Sequence, residues 1–94
     1  MPRRLRLTER YTRAVARLGV GGGTVRGAAL GRTLRALLSG DELPSPVDTT
    51  AAVPPTGSAY VRRVAGHNVW LWYLVRGEEL VLLTVTSEPP VPLG

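Results

Sequence analysis

The second half of the chain contains two consecutive segments that are apolar in both rows of side chains when they are interpreted as β-strands. Residues 68–76 alternate an aliphatic row with a row that holds both tryptophans of the protein, and residues 79–86 are apolar in both rows as well. Successive side chains of a strand point to opposite faces of the sheet, so a strand that is apolar in both rows has to be covered on both sides. The sequence therefore predicts a sheet in which these two segments are central strands.

The two rows of the first of these strands differ in chemistry. One row is Val69, Leu71, Tyr73 and Val75, and the other is Trp70, Trp72 and Leu74. Because the first row is the more aliphatic, we expect the helices of the protein to pack on it. The row with Trp70 and Trp72 then needs another cover, and we predict that these two side chains bind a partner or are covered by the chain's own loops, since a large exposed apolar patch usually marks an interaction site. Stacking of nucleobases on the indoles is the alternative.

The first forty residues predict one strand and two helices. Residues 3–7 alternate charged and apolar side chains from Arg4 onward, which is typical of a short edge strand with one wet face. Thr8 and Thr24 are predicted N-caps, because a threonine hydroxyl accepts a hydrogen bond from a free N–H of the first turn. The first helix ends at the glycine run that begins with Gly19, and the second runs to about Ser39.

The remaining segments complete the predicted order. Residues 41–58 hold four of the eight prolines and predict a loop. Residues 59–65 alternate and predict a strand, and residues 87–94 predict an extended tail. The order is β-α-α-β-β-β, which predicts a single α+β domain over residues 1–94 in which two antiparallel helices pack on one face of an antiparallel sheet.

Charge is distributed unevenly along the chain. All twelve basic residues are arginine, and residues 1–40 contain nine of them against one acidic residue. Residues 41–94 contain three arginines and six acidic residues. A basic half beside a mildly acidic half indicates a polyanionic target or an acidic protein partner.

Four helical arginines are the strongest electrostatic signal. Arg13 and Arg17 are one helical turn apart, and Arg32 and Arg35 are spaced in a similar way. We predict that these four residues bind nucleic acid. Their alternative role is to keep the protein soluble.

Composition excludes several classes of protein. The chain has no cysteine and one histidine, His67, which rules out a disulfide framework, thiol catalysis and the two-histidine metal motifs. We therefore expect no metal and no small-molecule cofactor. The longest apolar run, residues 69–75, is far shorter than the roughly 20 residues that cross a bilayer. With no signal peptide visible, we expect a cytoplasmic protein that has no membrane partner.

The order of elements and three stretches of sequence resemble the RelE/ParE superfamily of bacterial type II toxins. These stretches are Leu5–Tyr11, Leu34–Pro44, and Tyr60–Val75 followed by Glu79–Val85. The resemblance covers residues 3 to about 86. It implies a toxin that is neutralised by a cognate antitoxin protein.

The resemblance also implies a target. RelE-like members cleave mRNA on the ribosome, and ParE-like members act on DNA gyrase. We predict inhibition of translation by a ribosome-dependent, metal-independent mRNA endonuclease (an mRNA interferase). The alternative is a non-enzymatic binding protein with the same fold, either a gyrase inhibitor or a catalytically silent module.

The sequence departs from the RelE-like pattern at the residues that would perform catalysis. Trp70 occupies a position where an arginine is usual, residues 86–90 lack the usual basic residues, and no tyrosine follows Tyr73. The remaining candidate catalytic residues are Arg62, Arg63, His67 and Arg76. If they are catalytic, Arg62 or Arg63 should line one concave pocket with His67 and Arg76, whereas in a binding protein they are scattered. The sequence leaves enzymatic activity open.

Overall fold

The computed structural model describes residues 3–39, 42–53 and 57–91. Its elements are β1 (Arg4–Leu7), α1 (Glu9–Leu18), α2 (Val25–Leu38), β2 (Thr49–Ala52), β3 (Ser58–Arg63), β4 (Trp70–Arg76) and β5 (Glu79–Thr86). The strands form one five-stranded sheet in the order β1-β5-β4-β3-β2. The predicted α+β class is confirmed, with β4 central and β1 at an edge.

Both helices begin at the predicted caps. The Thr8 hydroxyl accepts a hydrogen bond from the Tyr11 N–H at 3.1 Å, and the Thr24 hydroxyl accepts one from the Gly27 N–H at 2.8 Å. Gly19 ends α1 with a positive φ of 66°, a conformation that glycine adopts without steric cost. The ends of the helices therefore follow from local sequence alone.

The sheet differs from the prediction in two respects. The predicted loop over residues 41–58 contains a strand, because β2 pairs antiparallel with β3. The sheet is also mixed rather than antiparallel, since β1, the first strand of the chain, pairs parallel with β5, the last. The short sequence of β2 (Thr-Thr-Ala-Ala) has no large apolar row, so its pairing depends on its neighbour rather than on its own pattern.

One face of the sheet, called here the covered face, packs against both helices. The aliphatic row of β4 lies in this core as predicted, together with residues from both helices and from β5. The main members are Tyr11, Ala14, Leu30, Leu37, Leu71, Tyr73, Leu80, Leu82 and Val85. The register between β4 and β5 shifts by one residue, which lets both Leu82 and Val85 face the helices although they are three residues apart.

The opposite face, called here the open face, carries the tryptophan row. Trp70, Trp72 and Leu74 are half-buried there, while Val61, which pairs with Trp72, is buried. Neither helix of the described residues lies on this face, since both contribute to the core on the other side. Neither helix is long and apolar enough to cross a membrane.

Candidate functional site on the open face of the sheet

Arg62 and Arg63 are neighbours on β3 whose side chains leave on opposite faces of the sheet. Arg62 lies on the covered face, where its Nε donates to Asp48 Oδ1 at 2.6 Å and a terminal nitrogen donates to Asp48 Oδ2 at 2.9 Å. The same terminal nitrogen donates to Ser45 Oγ at 2.9 Å. The Asp48 side chain is fully buried and that of Arg62 is 15% exposed, so this is a buried, two-pronged ion pair.

Further donors complete the environment of Asp48. The Tyr73 hydroxyl donates to Asp48 Oδ2 at 2.5 Å, and the Ser45 N–H donates to the same oxygen at 2.8 Å. Burial alone would raise the pKa of Asp48, but these hydrogen bonds, with that of Arg62, outweigh it and hold the pKa below its ordinary value. Burial and the bond to Asp48 raise the pKa of Tyr73, and the bond to Asp48 raises that of Arg62.

This cluster of hydrogen bonds links residues 45–48, which precede β2, to strands β3 and β4. Both carboxylate oxygens of Asp48 accept hydrogen bonds within it, and Arg62 donates through Nε and one terminal nitrogen. The role of Arg62 in this structure is therefore to neutralise and hold Asp48.

Arg63 lies on the open face and is exposed. Its guanidinium carbon lies 5.6 Å from the centroid of the Trp70 ring. Its Nε donates to the backbone oxygen of His67 at 3.0 Å, and a terminal nitrogen donates to Asn68 Oδ1 at 3.2 Å. The turn between β3 and β4 thus holds an exposed cation beside His67 and an aromatic ring.

Arg76 lies at the other end of β4. It is exposed and pairs in register with Glu79. It is six residue steps along the strand from Trp70, a distance of about 20 Å at roughly 3.3 Å per residue. Arg62 and Arg63 both line a cavity beside α2, His67 contacts Arg63 through its backbone oxygen, and Arg76 lines a different cavity. The four candidate catalytic residues therefore do not meet in one pocket of the described residues.

Trp72 is held in a fixed orientation at the centre of the open face. Its indole Nε1–H donates to Thr86 Oγ1 at 3.1 Å, and the Thr86 hydroxyl donates to the Glu88 backbone oxygen at 2.9 Å. Trp72 lines two cavities. The smaller, of about 80 Å³, is also lined by Arg10, Val53 and Thr84, and the larger, of about 430 Å³, by Arg17, Leu18 and the tail residues 87–91.

The position of Arg10 and Arg17 follows from the length of β1. This strand pairs with β5 only as far as Leu82, so residues 83–86 of β5 have no strand beside them on that edge. The end of α1 that follows Thr8 passes this edge, and the Thr8 hydroxyl donates to the Leu82 backbone oxygen at 2.8 Å. Arg10 and Arg17 are seven residues apart on α1, which places them on one side of the helix, about 10.5 Å apart along its axis.

The four arginines predicted to bind nucleic acid do not all meet. Arg17 lies beside Trp72, whereas Arg32 and Arg35 line a shallow groove on α2 with Gly27 and Gly31. Arg13 is exposed and 3.9 Å from Glu9. The sequence prediction did not include Arg10, although its seven-residue spacing from Arg17 was a usable signal.

The described residues contain no group of three or more histidine, cysteine, aspartate or glutamate side chains that could hold a metal ion. The positively charged groups of the site are therefore arginines. Within the described ranges, Arg10 and Arg17 have no acidic partner.

Two solved structures share the fold of this chain. A crystal structure of a copper-bound mutant toxin from Helicobacter pylori superposes with a TM-score of 0.62 at 21% identity, and covers 88% of this chain and 91% of that chain. The solution structure of a conserved hypothetical protein from Helicobacter pylori gives 0.55 at 20% identity, with the same coverage. No protein-family model matches the sequence, and no curated protein matches it significantly. The chain therefore shares its α+β fold with this Helicobacter pylori toxin.

Proposed function

We propose that the protein is the toxin of a bacterial type II toxin–antitoxin system, acts in the cytoplasm, and inhibits translation by occupying part of the translation machinery through its open face. The observation that carries the toxin role is the fold shared with the Helicobacter pylori toxin over 88% of the chain. A fold alone does not define an activity, so the mode of action is argued from the site.

The geometry favours inhibition by binding over inhibition by cleavage. Cleavage of an RNA chain requires groups that move a proton from the ribose 2′-hydroxyl and stabilise a pentavalent phosphorus, within a few ångströms of one another. The Arg62 guanidinium is bound in a buried ion pair with Asp48, and Arg76 lies at the end of β4 opposite to Arg63 and His67. A binding surface needs no such convergence.

A ribosome-dependent mRNA endonuclease is the second candidate function. It is supported by the contact between the Arg63 guanidinium and the His67 backbone oxygen, which places the two residues together at one end of the open face. In this version the imidazole transfers the proton and the guanidinium stabilises charge on the phosphate. This version of the function requires Arg63 and His67 alone, without Arg62 or Arg76.

A cognate antitoxin is the protein partner that this role implies. The open face offers it a half-buried aromatic row, Trp70 and Trp72, with an exposed cation at Arg63. We expect an antitoxin segment of apolar and acidic character to cover this row, because apolar burial and charge pairing then act together.

The experiment that tests the proposal is cell-free translation of a defined mRNA in the presence of the purified protein. Protein synthesis is measured by incorporation of a labelled amino acid, and mRNA ends are mapped by primer extension. Inhibition of synthesis without new mRNA ends is the expected result. Unaffected synthesis would contradict the proposal and would leave DNA gyrase as the target to assay next.

A matched pair of variants separates the two candidates. If new ribosome-dependent ends appear, they should vanish with Arg63→Ala/His67→Ala and persist with Arg76→Ala, and the endonuclease then replaces the binding mechanism. Ends that depend equally on Arg76 would contradict the geometry described above.

A further inference from the structure

We infer that the cleft between α1 and residues 83–86 of β5 binds a single strand of nucleic acid, with one base stacked on Trp72 and phosphates on Arg10 and Arg17. The inference deepens the proposed function, because it names the chemistry of the target surface that the toxin occupies. It concerns binding by the isolated protein, which is measured without translation.

The Trp72 ring is pre-organised for stacking with a base. The hydrogen bond from its indole N–H to Thr86, and that of Thr86 to the Glu88 backbone oxygen, fix the ring without using its π-face. A half-buried indole that lines two cavities offers a flat, partly desolvated surface. Stacking on such a surface is how proteins bind unpaired bases of any sequence.

Positive charge lies on both sides of the Trp72 ring. Arg10 lines the smaller cavity and Arg17 the larger one, while Trp72 and Thr86 line both. The two arginines are separated by about 10.5 Å along α1, close to the length of three nucleotides of a stacked strand at about 3.4 Å each. An aromatic platform between unpaired cations is the combination that single-stranded nucleic acids recognise.

The wall of the larger cavity opposite α1 differs from α1 in charge. The tail contributes Ser87, Glu88, Pro89, Pro90 and Val91 to the larger cavity. Glu88 repels a phosphate on that side, and the prolines present apolar surface. The phosphates of a bound strand are therefore directed to α1, and its base toward Trp72 and the prolines.

The test uses the fact that the chain has only two tryptophans, both on the open face. Trp70→Phe leaves Trp72 as the only indole, and Trp72→Phe leaves Trp70. Each protein is titrated with an oligouridylate of eight nucleotides, and indole fluorescence and anisotropy of a labelled copy of the oligonucleotide are recorded. Polyphosphate serves as a polyanion without bases.

The inference predicts quenching of Trp72 by the oligonucleotide, little quenching of Trp70, and no quenching of either by polyphosphate. Trp72→Leu should weaken binding roughly tenfold. Arg17→Gln should weaken it and reduce the slope of log affinity against log salt by about 1, while the control Arg4→Gln, at an exposed arginine of β1 that lines neither cavity, should have a smaller effect.

The inference would be overturned by no measurable binding of the oligonucleotide, by equal quenching of both tryptophans, or by equal affinity for polyphosphate and the oligonucleotide in all variants. Binding that quenches only Trp70 would also overturn it and would locate the strand at Arg63. A failure here with intact inhibition of translation would leave the toxin proposal standing with a protein surface as its target.

Discussion

Both faces of the sheet carry apolar side chains, but the charged groups on the two faces differ in their pairing. On the covered face, Arg62, Asp48 and Tyr73 pair with one another inside the protein. On the open face, Arg63 contacts only the turn that follows β3 and the Trp70 ring, and at the edge of this face Arg10 and Arg17 of α1 have no acidic partner among the described residues. Paired charges are typical of structural roles, whereas unpaired charges around a fixed aromatic ring are typical of binding sites.

Arg62 and Arg63 show the difference between the two faces at adjacent positions. They are the same residue type, adjacent in sequence, with opposite environments. Removing each in turn gives the largest contrast that the structure predicts.

Arg62→Ala should lower the free energy of unfolding by about 3 kcal/mol, because it leaves the buried carboxylate of Asp48 without its counter-ion. Arg63→Ala should cost less than about 1 kcal/mol, since an exposed cation–π contact contributes little. Urea unfolding followed by circular dichroism measures both. Equal losses would break the comparison between the two faces.

Leu71 and Leu74 provide an apolar pair on the same strand. Leu71 is completely buried on the covered face, and Leu74 is half-buried on the open face. Leu71→Ala should cost about 3 kcal/mol, because a cavity is added to the loss of burial, and Leu74→Ala about 1 kcal/mol. A thermal melt in which Leu74→Ala is the less stable variant would show that something else covers the open face.

The Asp48 cluster predicts a dependence of stability on pH. The pKa of Asp48 is lower in the folded protein, so its contribution is fully present above about pH 4 and is lost as the pH falls through the folded value. The pKa of Tyr73 is raised by folding, so its contribution is present below about pH 10 and is lost as the pH rises further. Denaturation midpoints measured from pH 3 to 11 should fall at both ends. Asp48→Asn should flatten the acid limb, and an unchanged acid limb would contradict the assignment to Asp48.

The smallest expected effect concerns the support of Trp72. Thr86→Val removes the acceptor of the indole N–H, and the cost should be about 0.5 kcal/mol because water can replace the hydroxyl at a half-exposed ring. In a Trp70→Phe background, the emission of Trp72 should shift to longer wavelength. A loss of stability as large as that of Leu71→Ala would mean that Thr86 belongs to the core.

Most of the fold could be predicted because its signals are local. Thr8 and Thr24 cap the helices through their own hydroxyls, and the alternating rows of β4 separate the aliphatic face from the tryptophan face. β2 could not be predicted, since four small residues pair through backbone groups that every sequence has. The parallel pairing of β1 with β5 could not be predicted either, because it joins the first and last strands of the chain and no local pattern specifies that contact.

The candidate site was harder to predict from the sequence, because its contacts join distant parts of the chain. Period-two alternation correctly separated Arg62 from Arg63, but only the long-range pairing with Asp48 reveals that Arg62 is buried. The proximity of Arg17 to Trp72 depends on where β1 ends, which no local pattern encodes. Several roles stay predictions: the antitoxin partner, the catalytic role of Arg62, Arg63, His67 and Arg76, the nucleic-acid role of Arg13, Arg17, Arg32 and Arg35, and the partner contacts of Trp70 and Trp72.

The measurement that tests the central claim most directly compares one variant from each face in cell-free translation. Trp72→Leu alters the open face, and Leu71→Val trims the adjacent residue on the covered face at a cost of about 1 kcal/mol. After circular dichroism has established that both are folded, the concentration that halves protein synthesis is determined for each. We predict that Trp72→Leu loses inhibition at least tenfold while Leu71→Val inhibits like the unaltered protein. Full inhibition by Trp72→Leu, with loss in Leu71→Val, would contradict it.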